Sequence, residues 1–301
     1  MKNLEVLTDF LIENGISFQE NYEISDIRVD IYIEKFKVAV DLHLLKDISF
    51  GKENRELENR NLLLNRMKTC VEKDIKLYQI YESEWQDLRR KDIWKSMISS
   101  KLEVNRRIFA RKCSVRELNV NESSTFLNDN HMQGTVPSTI KLGLIYEDEL
   151  VACFTAGYSR FNKNYDWEIL RYCNKKFTNV VGGFSKLLKY FTRNYGGSMI
   201  SYANKRWSDG SLYEKVGFNL LEDASPNYYY FVPGTFVLKS RNQYQKHKLH
   251  KKLEIFDPDK TEVDNCFNNG LYRVWDVGNK VYYIKGSPKI ITKPVTIDDF
   301  I

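Results

Sequence analysis

Arg28-Val29-Asp30-Ile31-Tyr32-Ile33 and Val38-Ala39-Val40-Asp41-Leu42-His43 are two strand-like runs joined by the short charged turn Glu34-Lys35-Phe36-Lys37. In the first, Val29, Ile31 and Ile33 alternate with Arg28, Asp30 and Tyr32, the period of a half-buried strand. The pair reads as a hairpin with one Asp on each arm. A carboxylate inside an apolar strand is disfavoured unless its charge is paired or coordinated, since burying it unpaired costs on the order of several kcal/mol. Mg²⁺ or Mn²⁺ would supply that compensation, because carboxylates and water suit such hard cations. A salt bridge or a solvated face would supply it equally well.

Outward from the hairpin, Leu4 to Asn14 predicts an amphipathic helix, Lys52 to Lys73 a charged helix, and Lys76-Leu77-Tyr78-Gln79-Ile80-Tyr81 a third strand ending in Glu82-Ser83-Glu84-Trp85. This order resembles the PD-(D/E)XK nucleases of the very-short-patch-repair type, in the form found in phage homing endonucleases. The resemblance implies Asp30 and Asp41 as ligands of Mg²⁺ (or Mn²⁺) in a DNA endonuclease. It points to His43 or Lys46 as the group that orients water or stabilises developing charge, with Glu5 on the first helix as a further candidate. The chain departs from the family pattern at two points. His43 stands where the family has Lys, and His43-Leu44 followed by Asp47-Ile48 replaces an Asn-Gly and Trp-His continuation.

A new pattern starts after Ser96 to Val104, with the strand-like Arg107-Ile108-Phe109-Ala110-Arg111. Ser114 to Asn130 contains a helix followed by His131, Lys141 to Tyr158 is a hairpin turning at Glu147-Asp148-Glu149, and Trp167 to Cys173 is a strand. Asn179-Val180-Val181-Gly182-Gly183-Phe184-Ser185 is a glycine turn, Lys186 to Tyr195 a helix, Ser198 to Ala203 a strand, and Ser211 to Phe218 a short helix breaking at Gly217. Strand, glycine turn, helix and strand in this order are similar to the core of GNAT-type acyltransferases. That resemblance implies coenzyme A on the backbone N–H groups opened by Gly182 and Gly183, an anion site at a helix N-terminus. With Asn130-His131-Met132-Gln133-Gly134 and Trp207-Ser208-Asp209-Gly210, the domain also resembles the one that accompanies the nuclease domain in phage homing endonucleases and is related to Mom-type DNA-modifying acyltransferases, which implies an enzyme fold reused for DNA contact. Lys205, Arg206 and Trp207 close a strand with two cations and an indole, as a phosphate-contacting loop with a stacking platform would; a solvated loop with one buried Trp is the alternative.

Leu238 to Lys252 carries Lys239, Arg241, Lys246, Lys248, Lys251 and Lys252, with His247 and His250 and no acid. On a helix, Gln245, Lys248 and Lys252 share a face with Arg241, while Leu249 and Leu253 anchor the other side. Such a face, with Lys246, His247 and Lys251 beside it, would neutralise phosphates of double-stranded DNA and bind with steep salt dependence. The series Tyr244 to Leu249, Phe256-Asp257-Pro258 and Asn269 to Asn279 resembles the C-terminal region of the same phage homing endonucleases.

The 301 residues, 42% hydrophobic, are enough for more than one core. Net charge is +6 but uneven: −3 over residues 1–98, +5 over 99–232 and +4 over 233–301. The positive field lies on the last two-thirds, as an anionic partner requires. Five Cys, at 70, 113, 153, 173 and 266, form no CxxC or Cys/His cluster and read as reduced and metal-free. With no signal peptide and no long apolar run, a soluble protein of the cytoplasm of a phage-infected bacterial host, without membrane contact, is expected.

The sequence thus predicts an α/β and α+β chain of three parts. Residues 1–98 form a PD-(D/E)XK nuclease-like domain, 99–232 a GNAT-like mixed α/β domain, and 233–301 a small basic α+β DNA-binding region. Its expected function is metal-dependent DNA cleavage. The alternatives are a coenzyme A-dependent acyltransferase acting on a nucleobase or amine, and a catalytically decayed nuclease retained as a DNA-binding or anti-defence protein.

Overall fold

The Asp30/Asp41 hairpin forms as its alternation predicts: Ile27–Ile33 runs antiparallel to Val38–His43, with Ile31 opposite Val40 and Ile33 opposite Val38. The turn closes through Lys37, which adopts a left-handed conformation at φ 50°. A computed structural model describes residues 4–286 of the chain, a mixed α/β structure with several sheets. Two compact units are present. The first comprises the residues up to Val104 with Asn204–Asp209 and Asp223–Asn279, and the second Asn105–Ala203, Gly210–Glu222 and the residues from Lys280 on.

The first unit opens with α1 (Glu5–Glu13), β1 (Gln19–Ile24), β2 (Ile27–Ile33), β3 (Val38–His43), β4 (Ser49–Phe50), α2 (Leu62–Glu72), β5 (Lys76–Tyr81), α3 (Glu82–Trp85) and α4 (Leu88–Lys101). Its main sheet has the order β1-β2-β3-β5. β5 lies parallel to β3, with Asp41 opposite Gln79. A parallel pair needs a crossover, and α2 supplies it, burying Leu63 and Cys70 on one face. β3 is buried at every residue, which explains its nearly continuous apolar run. The expected helix from Lys52 is shorter than its charge pattern predicts. Before Leu62, the Asn54 side chain accepts from Gly51 N–H and donates to the Ser49 carbonyl, so a local turn takes the bonds a helix would use.

The second unit contains β6 (Arg106–Phe109), β7 (Ser114–Glu117), α5 (Val120–Asn130), β8 (Ile140–Tyr146), β9 (Glu149–Tyr158), β10 (Trp167–Asn174), β11 (Thr178–Val181), α6 (Gly183–Tyr195), β12 (Met199–Asn204), α7 (Ser211–Glu214) and β13 (Asn219–Asp223). α5 begins at a capping box in which Asn119 accepts from Glu122 N–H and Glu122 accepts from Asn119 N–H. α6 starts at Gly183, three residues before the predicted Lys186. Its Phe184, Leu187, Leu188 and Phe191 are buried with Phe154, Trp167 and Leu142 from the sheet.

Downstream follow β14 (Tyr228–Phe231), β15 (Lys239–Ser240), α8 (Lys246–Leu249), α9 (Glu262–Asn268), β16 (Tyr272–Trp275) and β17 (Asn279–Ile284). β17 joins the large sheet of order β13-β17-β12-β10-β9-β8-β7. There β10 runs parallel to β12 only from Trp167 to Ile169, and its pairing with β9 shifts register between Ile169 and Arg171. β15, β14, β16 and β4 form a separate sheet, with Val274 opposite Ser49. Residues 223–279, read from the sequence mostly as part of a free-standing basic region, therefore complete the unit that holds the Asp30/Asp41 hairpin. The last stretch of that expected region, residues 287–301, lies outside the described residues.

The single basic helix expected over Leu238 to Lys252 does not form. Strand, a 3-10 turn at Arg241–Gln243 and the four-residue α8 replace it. Ser240 Oγ accepts from Asn242 N–H at the turn, and Tyr244 and Leu249 are both buried in a cluster with Tyr228, Tyr230 and Phe267. Their packing fixes a backbone that a continuous helix would not allow; tertiary contact overrides the charge pattern.

Candidate functional site

Asp30 and Asp41 sit on neighbouring strands, and each carboxylate accepts from a backbone N–H of the other strand. Asp30 N–H donates to Asp41 Oδ1 at 3.1 Å, and Leu42 N–H donates to Asp30 Oδ2 at 2.7 Å. Asp41 is 1% exposed, whereas Asp30 is half-buried. A buried carboxylate needs a counter-charge, and Arg66 of α2 provides it: Nε and Nη2 donate to Asp41 Oδ2 at 2.9 and 2.6 Å. The same Nη2 donates to the Arg28 carbonyl at 2.5 Å, tying α2 to β2.

His43, buried at the end of β3, lies with its Nε2 3.1 Å from Gln79 Oε1 and 4.0 Å from Asp41 Oδ2. Gln79 Nε2 donates to the Leu63 carbonyl at 3.1 Å, which fixes the amide so that Oε1 is an acceptor. His43 Nε2 therefore carries a proton and donates to it. In the neutral ring the lone pair is then on Nδ1. Cys70 stands nearby on α2, its thiol pushed up to about 12 by burial and by the charge of Asp41, so it is held protonated.

The other two expected residues of this site stand apart from that network. Lys46, in the turn after β3, is exposed, and Glu5 is on the solvent face of α1. Arg66 and Gln79 are the members that the sequence reading missed. Both left signals: Gln79 is the one polar side chain between Leu77-Tyr78 and Ile80-Tyr81, and Arg66 shares the α2 face of Leu63 and Cys70, three residues after one and four before the other.

Two carboxylates with water and substrate oxygens are a donor set that fits Mg²⁺, which is commonly held by one or two carboxylates. No group of three His, Cys, Asp or Glu gathers anywhere among the described residues. Asp30 and Asp41 would be the protein ligands, and the Arg66 guanidinium is the charge with which a cation would compete for Asp41.

At the expected coenzyme site, Gly182 takes φ 78° and caps α6. A Cβ on Gly183 would come 2.9 Å from the Tyr172 hydroxyl and 3.1 Å from Val180, so a packing contact accounts for this glycine. Phe184 gives a backbone hydrogen bond to that hydroxyl, which in turn donates to Asn174 Oδ1 at 3.0 Å. Tyr172 thus engages one of the N–H groups that a phosphate would use.

The expected phosphate-contacting loop is built differently from its sequence reading. Arg206 is 5% exposed and forms a two-pronged pair with Glu84, at 2.8 Å from Nη1 to Oε2 and 2.7 Å from Nη2 to Oε1. Its guanidinium also lies over Tyr81 at 3.9 Å and Trp207 at 4.9 Å, and Trp207 packs edge-on against Trp94. Lys205, 4% exposed, donates to Asp223 and to the Ala224 carbonyl. Two consecutive cations followed by an aromatic signalled a surface here, but both side chains turn inward, Arg206 to the buried Glu84 and Lys205 to the exposed Asp223. Farther on, Lys246, His247, Lys251 and Lys252 are exposed. Arg241 contacts Glu262 at 3.5 Å and covers Tyr228, and Lys248 donates to Gln245 Oε1 and the Asn242 carbonyl.

No helix among the described residues is long and apolar enough to cross a membrane. No known protein family matches the chain, and no curated protein matches it.

Proposed function

We propose that the chain is a DNA-binding, metal-dependent endonuclease of the phage homing type. The observation that carries this reading is the placement of Asp30 and Asp41 on adjacent strands β2 and β3, followed by α2, β5 and the Glu82–Trp85 turn. That is the order of elements the nuclease resemblance implies. Asp30 and Asp41 bind the cation from the protein side. When bound, such a cation polarises the phosphate and lowers the pKa of an attacking water. His43, oriented by Gln79 beside Asp41, is the group that orients water or stabilises developing charge. The exposed cations Lys246, His247, Lys251 and Lys252 add affinity for the duplex backbone. In the second unit, the strand, glycine turn, helix and strand of β11, α6 and β12 support a GNAT-like layer. The Tyr172 contact at the start of α6 favours that layer as a DNA-contacting scaffold over a coenzyme A enzyme.

The test is plasmid nicking with Mg²⁺ or Mn²⁺ beside a duplex-binding assay. Asp30→Asn is expected to abolish nicking while leaving duplex affinity within about threefold of wild type. Full nicking by Asp30→Asn would remove the mechanism. A second reading, a decayed nuclease acting as a DNA-binding or anti-defence protein, is favoured by the Arg66 pair, which already neutralises Asp41. Duplex binding by the wild-type chain with no nicking in either metal would select it.

A further inference from the structure

β6 and β11 form a two-stranded parallel ribbon in the second unit, with Arg106 opposite Thr178, Arg107 opposite Asn179, Ile108 opposite Val180 and Phe109 opposite Val181. One face is anchored: Ile108 and Val180 are each 3% exposed and belong to the unit's core. The alternation of a strand then turns Arg107 and Phe109 outward, and Phe109 is 41% exposed. An isolated apolar side chain on a surface needs no explanation. Here the neighbours give it one.

Residues 105–113 and 174–182 contain six cations, Arg106, Arg107, Arg111, Lys112, Lys175 and Lys176, and no acid. Arg106 and Lys175 are neutralised by Glu149. Arg107, Arg111 and Lys112 are exposed, and among the described residues no carboxylate pairs with any of them. Arg111 lies over the Phe109 ring at 5.2 Å, so cation and aromatic face are presented together. At the other end of the ribbon Phe177 is 37% exposed with φ 56°, a strained conformation for a bulky residue. Its carbonyl accepts from Arg106 N–H at 3.0 Å, which locks that turn onto β6.

We propose that this ribbon is a second DNA-contacting surface, one that takes unpaired or single-stranded DNA. Arg107, Arg111 and Lys112 meet phosphates, and bases stack on Phe109 and Phe177. Every base has a π-face, so such a platform is sequence-tolerant, and interleaved cations and aromatics are how single strands are held. The inference extends the DNA-handling reading given above but stands on residues outside the Asp30/Asp41 site.

The experiment is fluorescence anisotropy of the full chain with a labelled single-stranded oligonucleotide and with a hairpin duplex, over a range of salt. Joint replacement R107A, R111A and K112A is expected to weaken single-strand binding at least about tenfold and to lower the salt slope by about two. Phe109→Ala is expected to weaken it about tenfold, with the salt slope unchanged. All four side chains are exposed, and thermal melts of each variant check that the fold is kept. Variants that bind single strands as wild type does overturn the ribbon while leaving the duplex reading intact. Wild-type chain that binds no DNA of either form overturns both. Preference for single-stranded RNA over DNA of the same sequence overturns the assignment of the partner.

Discussion

Arg66 holds Asp41 by two hydrogen bonds to a single carboxylate oxygen, at 2.9 and 2.6 Å, from a side chain that is itself 22% exposed. A cation at Asp41 meets that positive charge first. Arg66→Met keeps much of the side chain's bulk and removes the charge. It is expected to tighten Mn²⁺ binding at least about tenfold, as relief of a close like-charge contact predicts. Without metal, the same variant loses about 3 kcal/mol of stability, because Asp41 is left buried and unpaired. Titration calorimetry and urea unfolding read the two effects. Unchanged Mn²⁺ affinity would show that Arg66 does not compete for the site.

Glu84 and Arg206 form a buried two-pronged pair, and Glu84 Oε2 also accepts from Tyr81 N–H and Trp94 Nε1 at 3.2 Å each. Arg206→Met should cost about 3–5 kcal/mol in urea unfolding, since it strands a desolvated carboxylate. Adding Glu84→Gln to that variant should restore part of the loss. Strict additivity of the two single changes would mean that the pair is not coupled.

Gly183→Ala places a methyl group 2.9 Å from the Tyr172 hydroxyl. The expected cost is about 1–3 kcal/mol, the range of overpacked sites. Tyr172→Phe in the same chain removes the oxygen and should recover part of that cost. Calorimetry of the wild-type chain with millimolar acetyl-CoA should show no heat, because Tyr172 already engages the start of α6.

Asp276 is pushed above the usual carboxylate range by burial, against the pull of hydrogen bonds from Asn227 and Gly278 and of nearby Arg206 and Lys205. A raised value means that the native state binds this proton more tightly than the unfolded chain does. Its contribution is therefore full below the unfolded value near pH 4 and is lost as pH rises through the native one. Both backbone N–H groups donate to Oδ1, at 2.7 and 2.8 Å, which an Asn can reproduce. Asp276→Asn should match wild-type stability near pH 4 and exceed it increasingly toward pH 7 in urea titrations. Parallel stability curves would exclude this group as the cause.

The hairpin, the order of elements around it and a helix over Lys186 to Tyr195 were legible because strand alternation and helical patterns are local. Gly182 and Gly183 marked a turn correctly, but only the Tyr172 contact gives the packing reason for Gly183. β1 went unread: five of its six residues are at least partly exposed, so its sequence, Gln19-Glu20-Asn21-Tyr22-Glu23-Ile24, carries little apolar signal. Arg206 was legible as a cation and illegible as a buried one, since its partner Glu84 lies 122 residues earlier. The same holds for Arg273, paired with Glu58 across 215 residues, and for Arg66 with Asp41. In each case the charge pattern was visible, and what fixed its meaning was a partner far away in the chain.

β4 and β16 pair with Arg273 opposite Phe50, a strand contact made between residues more than two hundred positions apart. In the order of synthesis this is among the last contacts to close. A ribosome that stops midway releases Asp30, Asp41 and Arg66 without β16 and with Glu84 facing no Arg206. The unit that carries the carboxylates is thus finished only after β16 has emerged, and closure at such sequence separation is slow. A product truncated before Arg206 carries the two acids but neither the sheet nor the buried charge that complete their unit.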